Sequence, residues 1–276
     1  MRGRPLGKSK AARSPEAPRL EPGFEGNFEA AGSVIICPGG AYRFLSPREA
    51  EPVARRFLKK GWRPYILRYS TGENLGTAPL EEAAEAVRLV REQDAATGGK
   101  GAVVLCGFSA GGHLAASLGV HWNNAAVFPD AASRSLQRPD ALVLAYPVIS
   151  AGAFAHRESI DRLAGTVSSA EDSGTMPGGV DFFSLENHAG ADTPPSFIWH
   201  TAADEMVPVE NSILFAKALI RNGIETELHI FSRGPHGLSL ATPEVDEPEE
   251  GRLSDTHVAR WFDLCVEWLN GLTGRQ

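Results

Sequence analysis

At 276 residues the chain has room for one large α/β domain, or a domain with a small insertion, and 42% hydrophobic content is ample for a core. A net charge of -7 argues against nucleic acid as the main partner, and no apolar run is long enough to span a membrane. Three cysteines without a CxxC pair, and eight dispersed histidines without an H-E-x-x-H pattern, argue against a disulfide framework and a metal site.

Residues 1–22 are rich in Arg, Lys, Pro, Ala and Ser and lack the apolar stretch of a secretory signal. That composition predicts a disordered or loosely packed leader over 1–30, ahead of a single domain over 31–276. Ser33-Val34-Ile35-Ile36-Cys37 predicts a buried strand, broken by Pro38-Gly39-Gly40-Ala41-Tyr42. A helix is expected over 48–60, with Val53, Phe57 and Leu58 inward and Gly61 at its end. Tyr65-Ile66-Leu67 is the next strand, and 80–92 is an amphipathic helix with Ala83, Ala84, Val87 and Val90 on one side. Strand 102–106 leads into helix 112–120. Buried strands follow at 141–145 and 196–200, then helix 209–222 closed by Gly223, an alternating strand over 225–231 and a last helix over 256–272. This alternation predicts an α/β fold: a mostly parallel, doubly wound sheet with helices on both faces.

Two segments break the rhythm. Residues 149–192 carry scattered Gly, Ser, Asp and Pro and are too long for a simple connection, so they form a lid or a mobile loop. Residues 242–251 are acidic and proline-rich and read as a solvated surface loop. Cys37, Cys106 and Cys265 lie in apolar patterns and read as small buried thiols of a reducing compartment, which predicts a cytoplasmic protein.

The chain is organised around Val103-Val104-Leu105-Cys106-Gly107-Phe108-Ser109-Ala110-Gly111-Gly112. An apolar strand ends in Gly-Phe-Ser-Ala-Gly and a helix follows at once, the setting of a G-x-S-x-G nucleophile elbow. On so tight a turn, side chains at Gly107 and Gly111 would collide with the neighbouring strand and helix. The turn pushes the Ser109 hydroxyl out of the sheet, beside the amides of the helix start.

A serine hydroxyl needs a base, and the base needs an orienting acid. In a doubly wound sheet these sit on loops at the carboxyl ends of later strands. Asp204 follows the strand ending at His200, although it could also be a turn residue or helix cap, and Glu205 beside it could be the acid instead. His236 lies on a glycine-flanked loop after the last strand. His113 reads as a packing or hydrogen-bonding residue, His200 and His229 as strand residues and His257 as solvated. The order Ser, Asp, His suits an α/β-hydrolase. The oxyanion of such a reaction needs backbone donors, expected from Ala110 and from Gly39-Gly40-Ala41 after the first strand. Tyr42 is placed to shape the substrate pocket, with ordinary packing as the alternative.

With these pieces assembled, the sequence resembles the esterase and lipase group of α/β-hydrolases, and within it the acetyl-xylan-esterase-like, BD-FAE-type carbohydrate esterases. The resemblance rests on 35–42, 107–114, 138–140, 146–149, 193–197, 204–212 and His236-Gly237. It implies Ser109 as nucleophile, Asp204 as acid, His236 as base, and oxyanion donors at Gly40 or Ala41 and at Ala110. It further implies ester hydrolysis on acetylated sugars without metal or organic cofactor. Three departures stand out: Ala41 replaces a frequent glycine, Ala203 replaces a common acid, and 19–31 looks too short and Pro/Gly-rich to supply the family's antiparallel edge strands. A sheet trimmed there would bear on stability or on assembly as a homo-oligomer more than on chemistry. The expected ligand is a small-molecule or oligosaccharide ester, with neither nucleic acid nor membrane as partner. The rival readings are a peptidase, amidase or formamidase on the same fold, and a catalytically silent binding protein.

Overall fold

The computed structural model describes residues 4–5 (as backbone), 19–24, 30–96, 101–165 and 178–274. Most of the predicted leader and part of the 149–192 segment lie outside these described residues.

Eight strands form one sheet: β1 Arg4–Pro5, β2 Arg19–Pro22, β3 Gly32–Cys37, β4 Arg63–Arg68, β5 Ala102–Phe108, β6 Ala141–Ala145, β7 Ser196–Thr201 and β8 Thr226–Phe231. Their order is β1-β2-β4-β3-β5-β6-β7-β8; the β1–β2 and β2–β4 pairs are antiparallel and all others are parallel. Among the described residues seven α-helices accompany them: α1 Glu51–Lys59, α2 Ala78–Ala96, α3 Ala110–His121, α4 Ala131–Gln137, α5 Arg157–Ala164, α6 Glu210–Arg221 and α7 Trp261–Leu272. This is the α/β-hydrolase fold. Among the described residues no helix is long and apolar enough to cross a membrane.

Strands β3 to β7 are buried on both faces, so their side chains divide by alternation. Val34, Ile36, Val104 and Cys106 pack with Val53 and Phe57 of α1 and with Trp261, Phe262 and Cys265 of α7. Ile35, Cys37, Val103 and Leu105 point the other way, against Leu80 and Val87 of α2, Leu114 and Leu118 of α3 and Phe215 of α6. The Phe57 and Phe262 rings meet edge-on at 4.8 Å across the first layer. Burying each ring contributes roughly 1.5–3 kcal/mol. All three cysteines are buried and free.

The expectation of a trimmed edge is corrected. Arg19–Pro22 pairs in register with Arg68 to Tyr65, and Arg4–Pro5 adds a further short strand outside it. Four residues suffice because Leu20 is buried among Tyr65 and Leu67, while Glu21 receives Arg68 Nε at 2.9 Å. Pro22 stands at the strand's end, where a missing N–H costs little.

The described residues of the 149–192 segment are folded against the core. They carry α5 and short 3-10 turns at Gly179–Phe183 and Leu185–Asn187, and they bury Ile160, Leu163, Phe182, Phe183 and Leu185 in the core. The short helix α4 was not anticipated; Asp130 caps it by accepting the Ala132 N–H at 3.0 Å. The carboxyl ends of β3, β5, β6, β7 and β8 all open to one rim of the sheet, where the loops carrying Gly40, Ser109, Tyr146, Asp204 and His236 follow them.

Candidate active site

β5, hydrogen-bonded between β3 and β6, delivers Ser109 to that rim. Ser109 has φ 52 and ψ -117, a conformation costing about 1–3 kcal/mol for a residue with a side chain. The turn is held by Ser109 N–H donating to Ala145 O at 3.0 Å, and by Ser109 O accepting from His113 N–H at 3.0 Å and Val148 N–H at 3.1 Å. A Cβ on Gly107 would lie 2.2 Å from Gly111 O, and one on Gly111 would lie 2.0 Å from Cys37 O of β3. The collisions expected of these glycines are thus with the helix and with the neighbouring strand.

The structure brings Ser109, His236 and Asp204 together. Ser109 Oγ lies 2.8 Å from His236 Nε2, and His236 Nδ1 lies 2.6 Å from Asp204 Oδ2. A carboxylate only accepts, so Nδ1 carries the proton and Nε2 accepts from the serine hydroxyl. The other oxygen, Asp204 Oδ1, accepts the N–H groups of Met206 at 3.0 Å and Val207 at 2.9 Å. Burial by itself would raise the Asp204 pKa. Hydrogen bonds from His200 and His236 and from the Val207 N–H outweigh it and hold the carboxyl well below the usual range. Glu205, the other candidate acid, is exposed.

The His236 loop is tied from outside. Arg252 Nε–H donates to His236 O at 3.0 Å and Arg48 Nη1–H to Gly237 O at 2.8 Å. Both guanidiniums also meet Glu247, at 2.5 and 3.4 Å. Residues 242–251 are therefore not a plain surface loop: Val245 is buried, and Glu247 and Glu250 border the cleft over Ser109 and His236.

On the opposite side, Gly39 N–H donates to Glu49 Oε2 at 2.8 Å. Gly40, Ala41 and Tyr42 then turn through φ 126, 54 and 57. Gly40 is obligatory there, since a Cβ would lie 2.2 Å from Phe44 O. The amides of Gly40, Ala41 and Ala110 make no hydrogen bond among the described residues. Tyr42 does not line the cleft, which corrects its expected place. The left-handed turn sends its ring inward to 1% exposure, edge-on to Tyr69. His113 Nε2–H donates to Phe183 O at 3.1 Å, so His113 Nδ1 accepts the Tyr42 hydroxyl at 2.9 Å. Its neighbours Arg43 and Phe44 face the cleft instead.

The cleft measures about 350 Å³ and opens over Ser109 and His236. Phe44 and Met206 give it apolar wall, while His156, Glu158 and Arg252 give it polar wall. Three contributors escaped the sequence. His156 precedes α5 inside the irregular segment. Glu49 resembles an ordinary first-turn acid before α1. His200 reads as a buried strand residue, yet its Nε2 lies 3.1 Å from Asp204 Oδ2. Its spacing of four residues from the acid was the available signal.

The family model for BD-FAE matches residues 27–219, well over half of the chain. The chain belongs to the BD-FAE family. The matched span holds Ser109 and Asp204 and stops short of His236. This BD-FAE chain is 36% identical over 216 residues to endo-1,4-beta-xylanase B of Butyrivibrio fibrisolvens, covering 76% of this chain and 33% of that protein. It is 27% identical over 215 residues to an acetylxylan esterase of Xylanibacter ruminicola, covering 76% of this chain and 42% of that one. The chain thus spans a third to two fifths of the length of these curated relatives. Among solved structures, an acetyl ester-xyloside bifunctional hydrolase from Caldicellulosiruptor lactoaceticus superposes with a TM-score of 0.79 at 34% identity, covering 95% of this chain and 91% of that one.

Proposed function

We propose that this BD-FAE protein is a serine esterase that cleaves short-chain carboxylic esters, with acetyl esters of sugars or xylo-oligosaccharides as its substrate class. The observation that carries the reading is the unbroken path from Ser109 Oγ through His236 to Asp204, at 2.8 and 2.6 Å, opening into a cleft. His236 Nε2 takes the Ser109 proton as Oγ attacks the ester carbonyl, and the amides of Ala110 and of Gly40 or Ala41 receive the developing oxyanion. The alcohol leaves with the proton from His236. Water then gives a proton to His236 and attacks the acyl-enzyme, and His236 returns that proton to Ser109 Oγ as the acid is released. Throughout, Asp204 keeps its charge and holds the imidazole in the tautomer that accepts at Nε2.

The sugar reading is supported by the polar side chains His156, Glu158 and Arg252 around the cleft, and by relatives described as an acetylxylan esterase and an acetyl ester-xyloside hydrolase. The test is a p-nitrophenyl ester series from short to long acyl chains, beside acetylated xylo-oligosaccharides, aminoacyl amides and formamides. Turnover should be greatest on acetyl esters and should release acetate from the oligosaccharides. Turnover confined to amides would overturn the reading.

A further inference from the structure

Glu49 is a carboxylate only 4% exposed, in the wall of the catalytic cleft, and the proton path from Ser109 to Asp204 does not use it. A carboxylate removed from water must be hydrogen-bonded at both oxygens to be tolerated. Here each oxygen holds a different loop. Oε2 accepts the Gly39 N–H at 2.8 Å, and Oε1 accepts the Tyr146 hydroxyl at 2.6 Å. The Tyr146 oxygen in turn accepts the Ser239 N–H at 2.9 Å. The Tyr146 ring stands edge-on to His236, with centroids 5.0 Å apart. One chain of three hydrogen bonds therefore joins the loops after β3, β6 and β8.

The occupied amide matters as much as the bond. With Gly39 N–H committed to Glu49, the following two amides, at Gly40 and Ala41, are those left for a ligand. Gly39 itself is wedged between Glu49 and the elbow: a Cβ there would lie 2.8 Å from Glu49 Oε2 and 3.0 Å from Ser109 Cβ. Tyr146 holds φ 37, a strained conformation that persists only where its surroundings over-determine it.

We infer that Glu49 is the positioning residue of the oxyanion loop, fixing Gly40 and Ala41 relative to the Ser109–His236 pair through Tyr146. The inference rests on reading those amides as the oxyanion donors. Because the oxyanion exists only after attack, Glu49 acts on the transition state and leaves substrate binding nearly untouched. Glutamine keeps the shape but not the chain. Its amide nitrogen would point a donor at Tyr146 Oη and leave the tyrosine O–H without its acceptor, or its oxygen would turn there and leave Gly39 N–H facing a donor.

Glu49→Gln and Tyr146→Phe, alone and together, are compared with wild type by thermal unfolding, by p-nitrophenyl acetate kinetics and by the second-order rate of Ser109 labelling with a fluorophosphonate. In the labelling reaction Ser109 Oγ displaces fluoride from phosphorus, its proton passes to His236, and the phosphoryl oxygen stands where the carbonyl oxygen would. Folded Glu49→Gln should lose about 10- to 100-fold in kcat and in labelling rate, with KM within about threefold. Tyr146→Phe should lose less, and the double variant should fall no further than Glu49→Gln, since both break one chain. A folded Glu49→Gln with kcat within about twofold of wild type, or losses that multiply in the double variant, would overturn the inference. If Glu49→Gln does not fold, Tyr146→Phe decides: reduced kcat at constant KM supports the tie, and unchanged kcat removes it. A wild type that labels but hydrolyses no ester would defeat the esterase reading, while the labelling rates would still decide the role of Glu49.

Discussion

His200 and His236 reach the same carboxylate oxygen of Asp204, at 3.1 and 2.6 Å, the first from β7 and the second from the loop after its neighbour β8. His200 Nε2 also lies 3.0 Å from Val207 O, and a nitrogen facing two acceptors must carry the proton. Its Nδ1 then accepts the Ser212 hydroxyl at 2.8 Å. Replacing His200 by Phe removes one donor from Asp204 and leaves Ser212 Oγ and Val207 O without it. We expect kcat to fall about tenfold or more with little change in KM, and stability to fall by roughly 1–3 kcal/mol. His200→Gln, which retains an N–H near the Nε2 position, should recover most of both. Steady-state kinetics and urea unfolding check this.

Acid should destabilise the protein through two other histidines. Burial lowers the imidazole of His113 from 6.5 to about 4, and burial lowers that of His121 to about 4 as well. The unfolded chain takes up these protons as pH falls below 6.5, whereas the folded chain refuses them until about 4. Stability is therefore complete above 6.5 and lost across that window, by up to about 1.4 kcal/mol per pH unit for each group. Asp204 has the same sign at lower pH: its depressed pKa stabilises the fold above the ordinary carboxylate range and ceases to as pH falls below it. His121→Gln keeps a donor for Phe182 O, bonded at 3.0 Å, but cannot titrate, so its unfolding free energy should fall less steeply with acid. Equal slopes in wild type and variant would contradict this.

The elbow should tolerate no side chain at Gly111. An alanine Cβ would sit 2.0 Å from Cys37 O, a backbone atom of a central strand that cannot swing aside. Gly111→Ala should cost at least about 3 kcal/mol or prevent folding, read by thermal unfolding and soluble yield. Gly61→Ala has nothing within 4 Å and meets only the penalty of its φ of 81, so it should cost about 1–2 kcal/mol.

Arg252 holds the His236 loop by the His236 carbonyl, at 3.0 Å. Arg252→Ala frees that carbonyl and removes one of the two guanidiniums on Glu247, while Arg48 still holds Gly237 at 2.8 Å and stays 3.4 Å from Glu247. We expect a fall in kcat of about threefold to tenfold, and a KM that rises for substrates reaching into the cleft wall that Arg252 forms.

Much of this was legible in the sequence because backbone constraints write themselves in small residues. Gly107, Ser109 and Gly111 announce an elbow, and a glycine-flanked His236 after the last strand announces a rim position. Apolar runs such as Ala141–Ala145 coincide with strands because the sheet is buried on both faces. What stayed hidden depends on direction. Tyr42 looked available to substrate until a left-handed turn at Ala41 and Tyr42 sent it into the core. Glu49 gains meaning only from Tyr146, far along the chain, and His200 only from sharing the Asp204 carboxylate with His236. The edge strand Arg19–Pro22 was hidden because four residues hold no readable period.

The central claim is that Ser109 Oγ, deprotonated by His236, takes an acyl group from an ester. Acid-quenching the protein during p-nitrophenyl acetate turnover and mapping its peptides by mass spectrometry tests it directly. An acetyl group on the peptide holding Ser109, absent from Ser109→Ala together with all turnover above background, is the predicted result. Undiminished hydrolysis by a folded Ser109→Ala protein, or acetyl carried on another residue, would contradict the account.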